Sequence, residues 1–225
     1  DGEAMLLDAG GTMSGTEIQL YLTQNGVEKL KYLILTHPDE DHIGGADVIV
    51  TKYDIENVFM PSYEKDTKAY EELIGALEYR WYLWSTPTVG STYALGNAVF
   101  TIVAPNRNYE GENDSSIGIL LAHGNNKFLF TGDAEEEAEI DLVNNGINLD
   151  CNVYKAGHHG SKASSSPILL AAATPDYVVV SCGENNNYGH PHAEPMNLFR
   201  SLGMKLFRTD EQGTIIAASD GTNLV

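Results

Sequence analysis

Residues 32–45 read Tyr32-Leu33-Ile34-Leu35-Thr36-His37-Pro38-Asp39-Glu40-Asp41-His42-Ile43-Gly44-Gly45. The apolar run Tyr32 to Leu35 predicts a strand, which delivers a tight turn rich in imidazole and carboxylate groups. Those groups are what a divalent cation takes as ligands, and a one-residue spacing turns alternate side chains to the same side. Gly44 and Gly45 then let the backbone bend away into a helix. A solvated acidic loop with chance histidines is the plain alternative, but turns this rich in both ligand types seldom arise from composition alone.

Further along the chain stand Asn113-Asp114-Ser115-Ser116, Thr131-Gly132-Asp133, Gly157-His158-His159-Gly160-Ser161 and Tyr188-Gly189-His190-Pro191-His192, with a tail at Arg208-Thr209-Asp210-Glu211-Gln212-Gly213. The first motif resembles the His-x-His-x-Asp-His signature of the metallo-β-lactamase superfamily, with Asp39 where the second histidine stands. Within that superfamily the ordered set is most similar to the hydrolase domain of ComEC-type competence proteins, and it covers nearly the whole chain. One departure stands out. Such domains usually open with a further strand and a Gly-Gln-Gly-Asp turn, whereas this sequence starts at Asp1 without them.

The resemblance implies a four-layer αββα sandwich, with residues 1–225 as a single hydrolase domain. The residues themselves give only an alternation of strands and helices, which is α/β. Strands are expected at Ala4–Leu7, Tyr32–Leu35, Asn57–Met60, Val99–Val103, Ile117–Leu121 and Phe128–Phe130, and again at Asn152–Lys155, Tyr177–Val180, Lys205–Phe207 and Thr214–Ile216. Helices are expected at Glu17–Gln24, Ala46–Lys52, 66–79, Ala134–Asn144, Pro167–Ala173 and Glu194–Leu202.

Composition narrows the partners. Apolar residues make up 42% and charged residues 20%, ordinary for a soluble domain, and no stretch nears the ~20 apolar residues of a membrane span. A net charge of −19, from 32 acidic against 13 basic residues, argues against a broad nucleic-acid surface. It is compatible with an extracellular or cell-surface place. Asp1 is not an initiator methionine, so the chain reads as a processed or trimmed piece, and the lack of a leader proves nothing. Cys151 and Cys182 are expected to be buried free thiols rather than a disulfide.

By the resemblance, His37 and Asp39 hold one metal, Asp41 and His42 the second, and Asp133 bridges both. Asp133 read alone is equally a helix N-cap. Of the adjacent histidines, His158 is assigned to the metal and His159 to the substrate phosphate or to support behind the ligands; two exposed surface histidines are the alternative. Ser161 and the amides beyond it offer room for an anionic oxygen. Where many superfamily members carry another histidine, Asn113 to Ser116 has none, which makes Asn113 and Ser115 candidate phosphate contacts or an ordinary turn. His190, between Gly189 and Pro191, is the candidate acid; Asp41 and His159 complete the catalytic set. His192 reads as a helix start and His123 as a hairpin end.

The expected cofactors are two divalent ions, manganese or zinc, with Asp39 hardening the site towards manganese. Two such ions bring four positive charges and the three aspartates return three, which favours an anionic ester and an activated water. The expected function is a phosphodiesterase or nuclease acting on a phosphodiester, with single-stranded DNA as a possible substrate, in bacterial DNA uptake. The alternatives are an esterase of an envelope headgroup such as phosphorylcholine and a metal-stabilised accessory module with little turnover. The run Tyr79-Arg80-Trp81-Tyr82-Leu83-Trp84 reads either as a base-stacking patch or, preferred, as a helix end packed on the sheet. Glu135, Glu136, Glu137 and Glu139 read as the solvated first turn of a helix.

Overall fold

The computed structural model describes residues 2–225; Asp1, where the sequence reading begins, lies outside them. The chain divides into two compact units, one running to Thr88 with Leu95–Asn97, the other made of Val89–Ala94 and Ala98–Val225.

The first unit runs β1 (Met5–Leu7), α1 (Ser14–Gln24), β2 (Lys29–Ile34), α2 (Glu40–Ile43), α3 (Ala46–Lys52), β3 (Asp54–Phe59), α4 (Lys68–Tyr79) and β4 (Trp84–Ser85). Among the described residues its sheet has the order β1-β2-β3-β4, with every pair parallel. Parallel strands buried on both faces need nearly continuous apolar sequence, which is why Leu33, Ile34 and Leu35 are fully buried. Leu33 and Leu35 join Ile49 of α3 and Leu73 and Leu77 of α4 in one core. Thr67 caps α4 by accepting from the Tyr70 amide, and Ala69, Leu73 and Leu77 at four-residue spacing form its buried face.

The second unit holds β5 (Thr92–Leu95), β6 (Ala98–Ala104), β7 (Gly118–His123), β8 (Asn126–Phe130), α5 (Glu136–Asn144), β9 (Val153–Lys155), α6 (Pro167–Ala173), β10 (Tyr177–Val180), α7 (Ala193–Ser201), β11 (Lys205–Arg208) and α8 (Thr209–Gln212). Its sheet, again among the described residues, is ordered β11-β10-β9-β8-β7-β6-β5. Strands β8 to β11 pair in parallel, while β6, β7 and β8 pair antiparallel. The core gathers Leu129, Tyr154, Val178 and Val180 from the strands with Leu142, Leu169 and Phe199 from the helices. Pro167 at the first turn and the Ser166 side chain, accepting from the Leu169 amide, start α6 where the sequence placed it.

Four expectations change. Thr214–Ile216 is not a strand: Gly213 turns at φ +71°, and beyond it the described tail makes one isolated bridge, Ser219 with Leu224. Ile215 and Leu224 instead lie beside Val153, Val179 and Phe207. The aromatic run packs only at Tyr82, which joins the core and takes hydrogen bonds from the Ile55 amide and Arg80. Helix α4 stops before Arg80 and Trp81 adopts φ +58°, so Trp81 and Leu83 point outward at 91% and 92% exposure. Gly44 and Gly45 have ordinary negative φ, so they are not there for the bend. A Cβ on Gly44 would lie 2.4 Å from the Thr12 amide, and one on Gly45 2.5 Å from the Ala9 carbonyl; glycine lets the loop after β1 press against α2.

The fourth correction concerns the acidic helix. Glu139 is fully buried, and its carboxylate accepts the amides of Ser165 and Ser166 at 2.6 and 2.7 Å, ahead of α6. Burial pushes its pKa above the ordinary glutamate value of 4.5, against the pull of those hydrogen bonds. A raised folded pKa means that the folded chain holds this proton more tightly than the unfolded one. That stabilisation is complete below pH 4.5 and is lost as pH rises through the folded value. Urea unfolding at stepped pH should therefore show a falling contribution that Glu139→Gln removes. Glu139→Ala, which strands two buried amides, should cost about 2–4 kcal/mol; a cost under ~0.5 kcal/mol would mean a surface role after all.

Both cysteines are free thiols, Cys151 buried and Cys182 only partly so. His192 precedes α7 and accepts from the Lys162 amide, as a helix-start residue, and His123 ends β7 at the turn into β8.

Candidate metal-ligand clusters

Each unit carries a cluster of its own. In the first, β2 ends at Ile34, and Thr36 to Asp39 form the turn that leads into α2. Asp8, just past β1, ties this turn down: its carboxylate accepts the Thr36 amide at 2.7 Å and the Thr36 hydroxyl at 2.9 Å. It also accepts from His42 Nδ1 at 2.7 Å. A carboxylate can only accept here, so the His42 proton sits on Nδ1 and Nε2 carries the lone pair, the form in which an imidazole can ligate a cation. The Thr36 hydroxyl, whose proton goes to Asp8, accepts in turn from His37 Nδ1 at 3.1 Å and fixes the same tautomer there.

His37 and His42 are buried, with ring centroids 4.0 Å apart. His37 Nε2 stands 3.8 Å from Asp39 Oδ2, and His42 Nε2 stands 3.9 Å from Asp41 Oδ2. These are too long for hydrogen bonds. Two ligand atoms each ~2.1 Å from a tetrahedral ion stand about 3.4 Å apart, so pairs at this spacing suit a shared cation. Asp39 Oδ1 is held by Lys65 Nζ at 2.5 Å.

In the second unit, Asp133 follows β8 through Thr131 and Gly132 (φ +58°) and is 3% exposed. The helix-cap reading of Asp133 fails, because α5 begins at Glu136 with Glu135 in the cap position. The Asp133 amide donates to the Ser116 hydroxyl at 3.1 Å. His158 and His159 both have positive φ, 46° and 53°, a costly conformation for these residues that turns the pair towards Asp133. The His158 amide donates to the Gly132 carbonyl at 3.2 Å, which joins the two loops. His159 Nε2 lies 3.3 Å, and His158 Nε2 3.8 Å, from Asp133 Oδ2. His159 Nδ1 donates to the Ser181 carbonyl at 2.8 Å, and His158 Nδ1 lies 3.3 Å from Glu135. Behind them the buried Tyr154 hydroxyl accepts the Gly157 amide and meets the Ser165 hydroxyl. The tail motif has a place here: Thr209 brackets Cys182, accepting its amide and donating to its carbonyl, beside the Ser181 carbonyl that holds His159.

His190 sits among His158, His159, His192 and Tyr188, with ring centroids 4.9–6.3 Å away. Burial first, and then the neighbouring histidines, hold its pKa below the ordinary histidine value. The side chain of Asn186 clasps the backbone of the loop by accepting the His190 amide. The expected phosphate contacts are less open. Ser115 donates to the Gly111 carbonyl inside a 3-10 turn, and Asn113 donates to Glu135. Ser161 accepts the Ala163 amide, and its own amide goes to the His158 carbonyl.

Sequence reading missed Asp8, Lys65, Ser116, Glu135 and Tyr154. Asp8 directly follows the expected strand Ala4–Leu7, Ser116 closes the Asn113–Ser116 motif and Glu135 opens the acidic run, but no sequence pattern gives any of them a part in the clusters. The imidazole lone pairs and carboxylates of both clusters fit divalent ions in donor chemistry.

The sequence profile of the metallo-beta-lactamase superfamily matches residues 1–184. The chain belongs to this superfamily. The αββα fold expected from the sequence is the superfamily's, and the class that comes with it is a metal-dependent hydrolase using divalent ions. Among curated relatives, ComE operon protein 3 of Bacillus subtilis is 28% identical over 94% of this chain and 29% of its own length. Recombination protein 2 of Haemophilus influenzae is 35% identical over 87% of this chain and 24% of its own length. Competence protein ComA of Neisseria gonorrhoeae is 33% identical over 94% of this chain and 28% of its own length. The chain thus spans about a quarter of the relatives it matches, and they are competence proteins of the expected type. Of solved structures, a metal-dependent hydrolase of the β-lactamase superfamily aligns at TM-score 0.59 and 15% identity, covering 91% of this chain and 85% of that one. The diiron β-hydroxylase CmlA of Streptomyces venezuelae aligns at TM-score 0.52 and 16% identity over 80% of this chain and 44% of its own. A fold shared by a hydrolase and a hydroxylase leaves the reaction to the side chains.

Proposed function

We propose that residues 1–225 act as one hydrolase domain, a metal-dependent phosphodiesterase that cuts DNA or another nucleic acid. His37, Asp39, Asp41, His42, Asp133 and one of the two adjacent histidines would hold two divalent ions. The sequence assigns His158; the Ser181 carbonyl, which fixes the tautomer of His159 with the lone pair on Nε2, favours His159 for that place. Bound there, two divalent ions would polarise a phosphoryl oxygen and acidify a water. The chain's own residues do the rest. Asp8 and Thr36 set the imidazole tautomers, and Tyr154 and Glu139 brace the loops behind Asp133 and His159.

The observation that carries the reading is the pairing, in each cluster, of an imidazole Nε2 with an aspartate oxygen at ligand spacing. DNA as substrate is supported by relatives named for competence and recombination, both processes on DNA, and the reading puts the chain at or outside the bacterial cell surface. Among the described residues, no helix is long and apolar enough to cross a membrane.

One observation favours a second reading. A net charge of −19 repels a polyanion, which suits a small headgroup ester such as phosphorylcholine better. Rates with Mn²⁺ or Zn²⁺ on a single-stranded oligonucleotide and on p-nitrophenyl phosphorylcholine separate the two. The higher kcat/KM should fall on the oligonucleotide. The reverse order selects the headgroup, and turnover of neither leaves an accessory module.

A further inference from the structure

The mouth of the first cluster holds a cation that no ligand motif includes. Lys65, in the loop between β3 and α4, places Nζ 2.5 Å from Asp39 Oδ1, while Oδ2 of the same carboxylate faces His37 Nε2 at 3.8 Å. The pair is partly open, with 26% of the lysine and 33% of the aspartate side chain exposed. Four other basic residues of the unit pair with acidic residues away from this cluster: Lys29 with Glu56, Lys31 with Glu3, Lys68 with Glu72 and Arg80 with Asp54.

We propose that Lys65 is the specificity-determining cation of this cluster: held at its rim by Asp39, its ammonium reads the negative charge of a phosphodiester. This rests on the metal reading above. Three ligand carboxylates cancel most of the charge of two divalent ions, and Lys65 returns one positive charge. In a chain of net charge −19, such a local cation favours the approach of an anionic ester. A lysine is a compact point charge with three donors, suited to a single non-bridging oxygen, and a neutral ester gains nothing from it.

The test compares the metal-loaded wild-type chain with Lys65→Met and Lys65→Arg. Lys65→Met should raise KM for bis-p-nitrophenyl phosphate about tenfold, with kcat within about threefold, and should weaken binding of inorganic phosphate by a similar factor. KM for the neutral methyl triester should not move, and Lys65→Arg should recover most of the loss. Calorimetry on stripped protein adds a readout without turnover: with the competing ammonium gone, Lys65→Met should bind Mn²⁺ at least about threefold more tightly. Equal effects on charged and neutral esters, or no effect on KM and phosphate, overturn the proposal. Asp39→Asn separates the two levels. If it weakens Mn²⁺ binding while Lys65→Met changes nothing, the lysine proposal alone fails; if it leaves Mn²⁺ binding intact, the metal reading fails and the proposal falls with it.

Discussion

Asp41→Asn is expected to reduce phosphodiester turnover by ~10³-fold or more while the chain stays folded. Asp41 lies on the short helix α2 with its side chain 57% exposed, so no core packing depends on it. Its carboxylate oxygen is 3.9 Å from His42 Nε2, a spacing that a shared cation would draw in only slightly. Asparagine keeps the shape and removes the charge, leaving a weaker neutral ligand. Circular dichroism and urea midpoints should match wild type. A variant with more than about a tenth of wild-type activity, less than ~1.4 kcal/mol of lost transition-state stabilisation, would show that Asp41 is no ligand.

His190→Ala should separate substrates by leaving group. A general acid matters only where the departing oxygen needs a proton, and p-nitrophenolate leaves without one. His190 sits in a loop clasped by Asn186, with Tyr188 stacked at 5.8 Å, so its ring is held rather than free. The expected result is a loss of about 10²–10⁴-fold in kcat/KM on an alkyl or nucleotide diester and little change on the nitrophenyl diester. Burial and the neighbouring histidines lower the pKa of His190, so the acid form disappears as pH rises through that lowered value. A bound phosphate works in the opposite sense and raises it in the complex. For the unactivated ester, kcat/KM in the free enzyme should therefore fall at lower pH than an ordinary histidine would give. Equal losses on both esters would make His190 an anchor or a ligand.

Local signals carried well. Helices α3 and α6 and strand β10 have the bounds that periodicity and the proline at the start of α6 predicted. The candidate ligand motifs at His37, Asp133 and His158 follow strands β2, β8 and β9, as the apolar runs ahead of them suggest. Partners distant in sequence were illegible. Asp8 meets His42 across 34 positions and Lys65 meets Asp39 across 26, and neither separation leaves a local pattern. Glu139 was misread for the same reason: in a run of glutamates it looks like solvated helix surface. Only the amides of Ser165 and Ser166, brought in from far along the chain, show it to be buried. Trp81 was misread because a single left-handed residue reverses which way an aromatic run faces.

The most direct test of metal-dependent phosphodiester hydrolysis is metal content measured alongside activity on one preparation. The chain, stripped with a chelator and reloaded, should bind two equivalents of Mn²⁺ or Zn²⁺. Hydrolysis of bis-p-nitrophenyl phosphate should vanish on stripping and return with the metal. Activity that survives complete stripping, or two bound equivalents with no diester hydrolysis under any metal, would contradict the account.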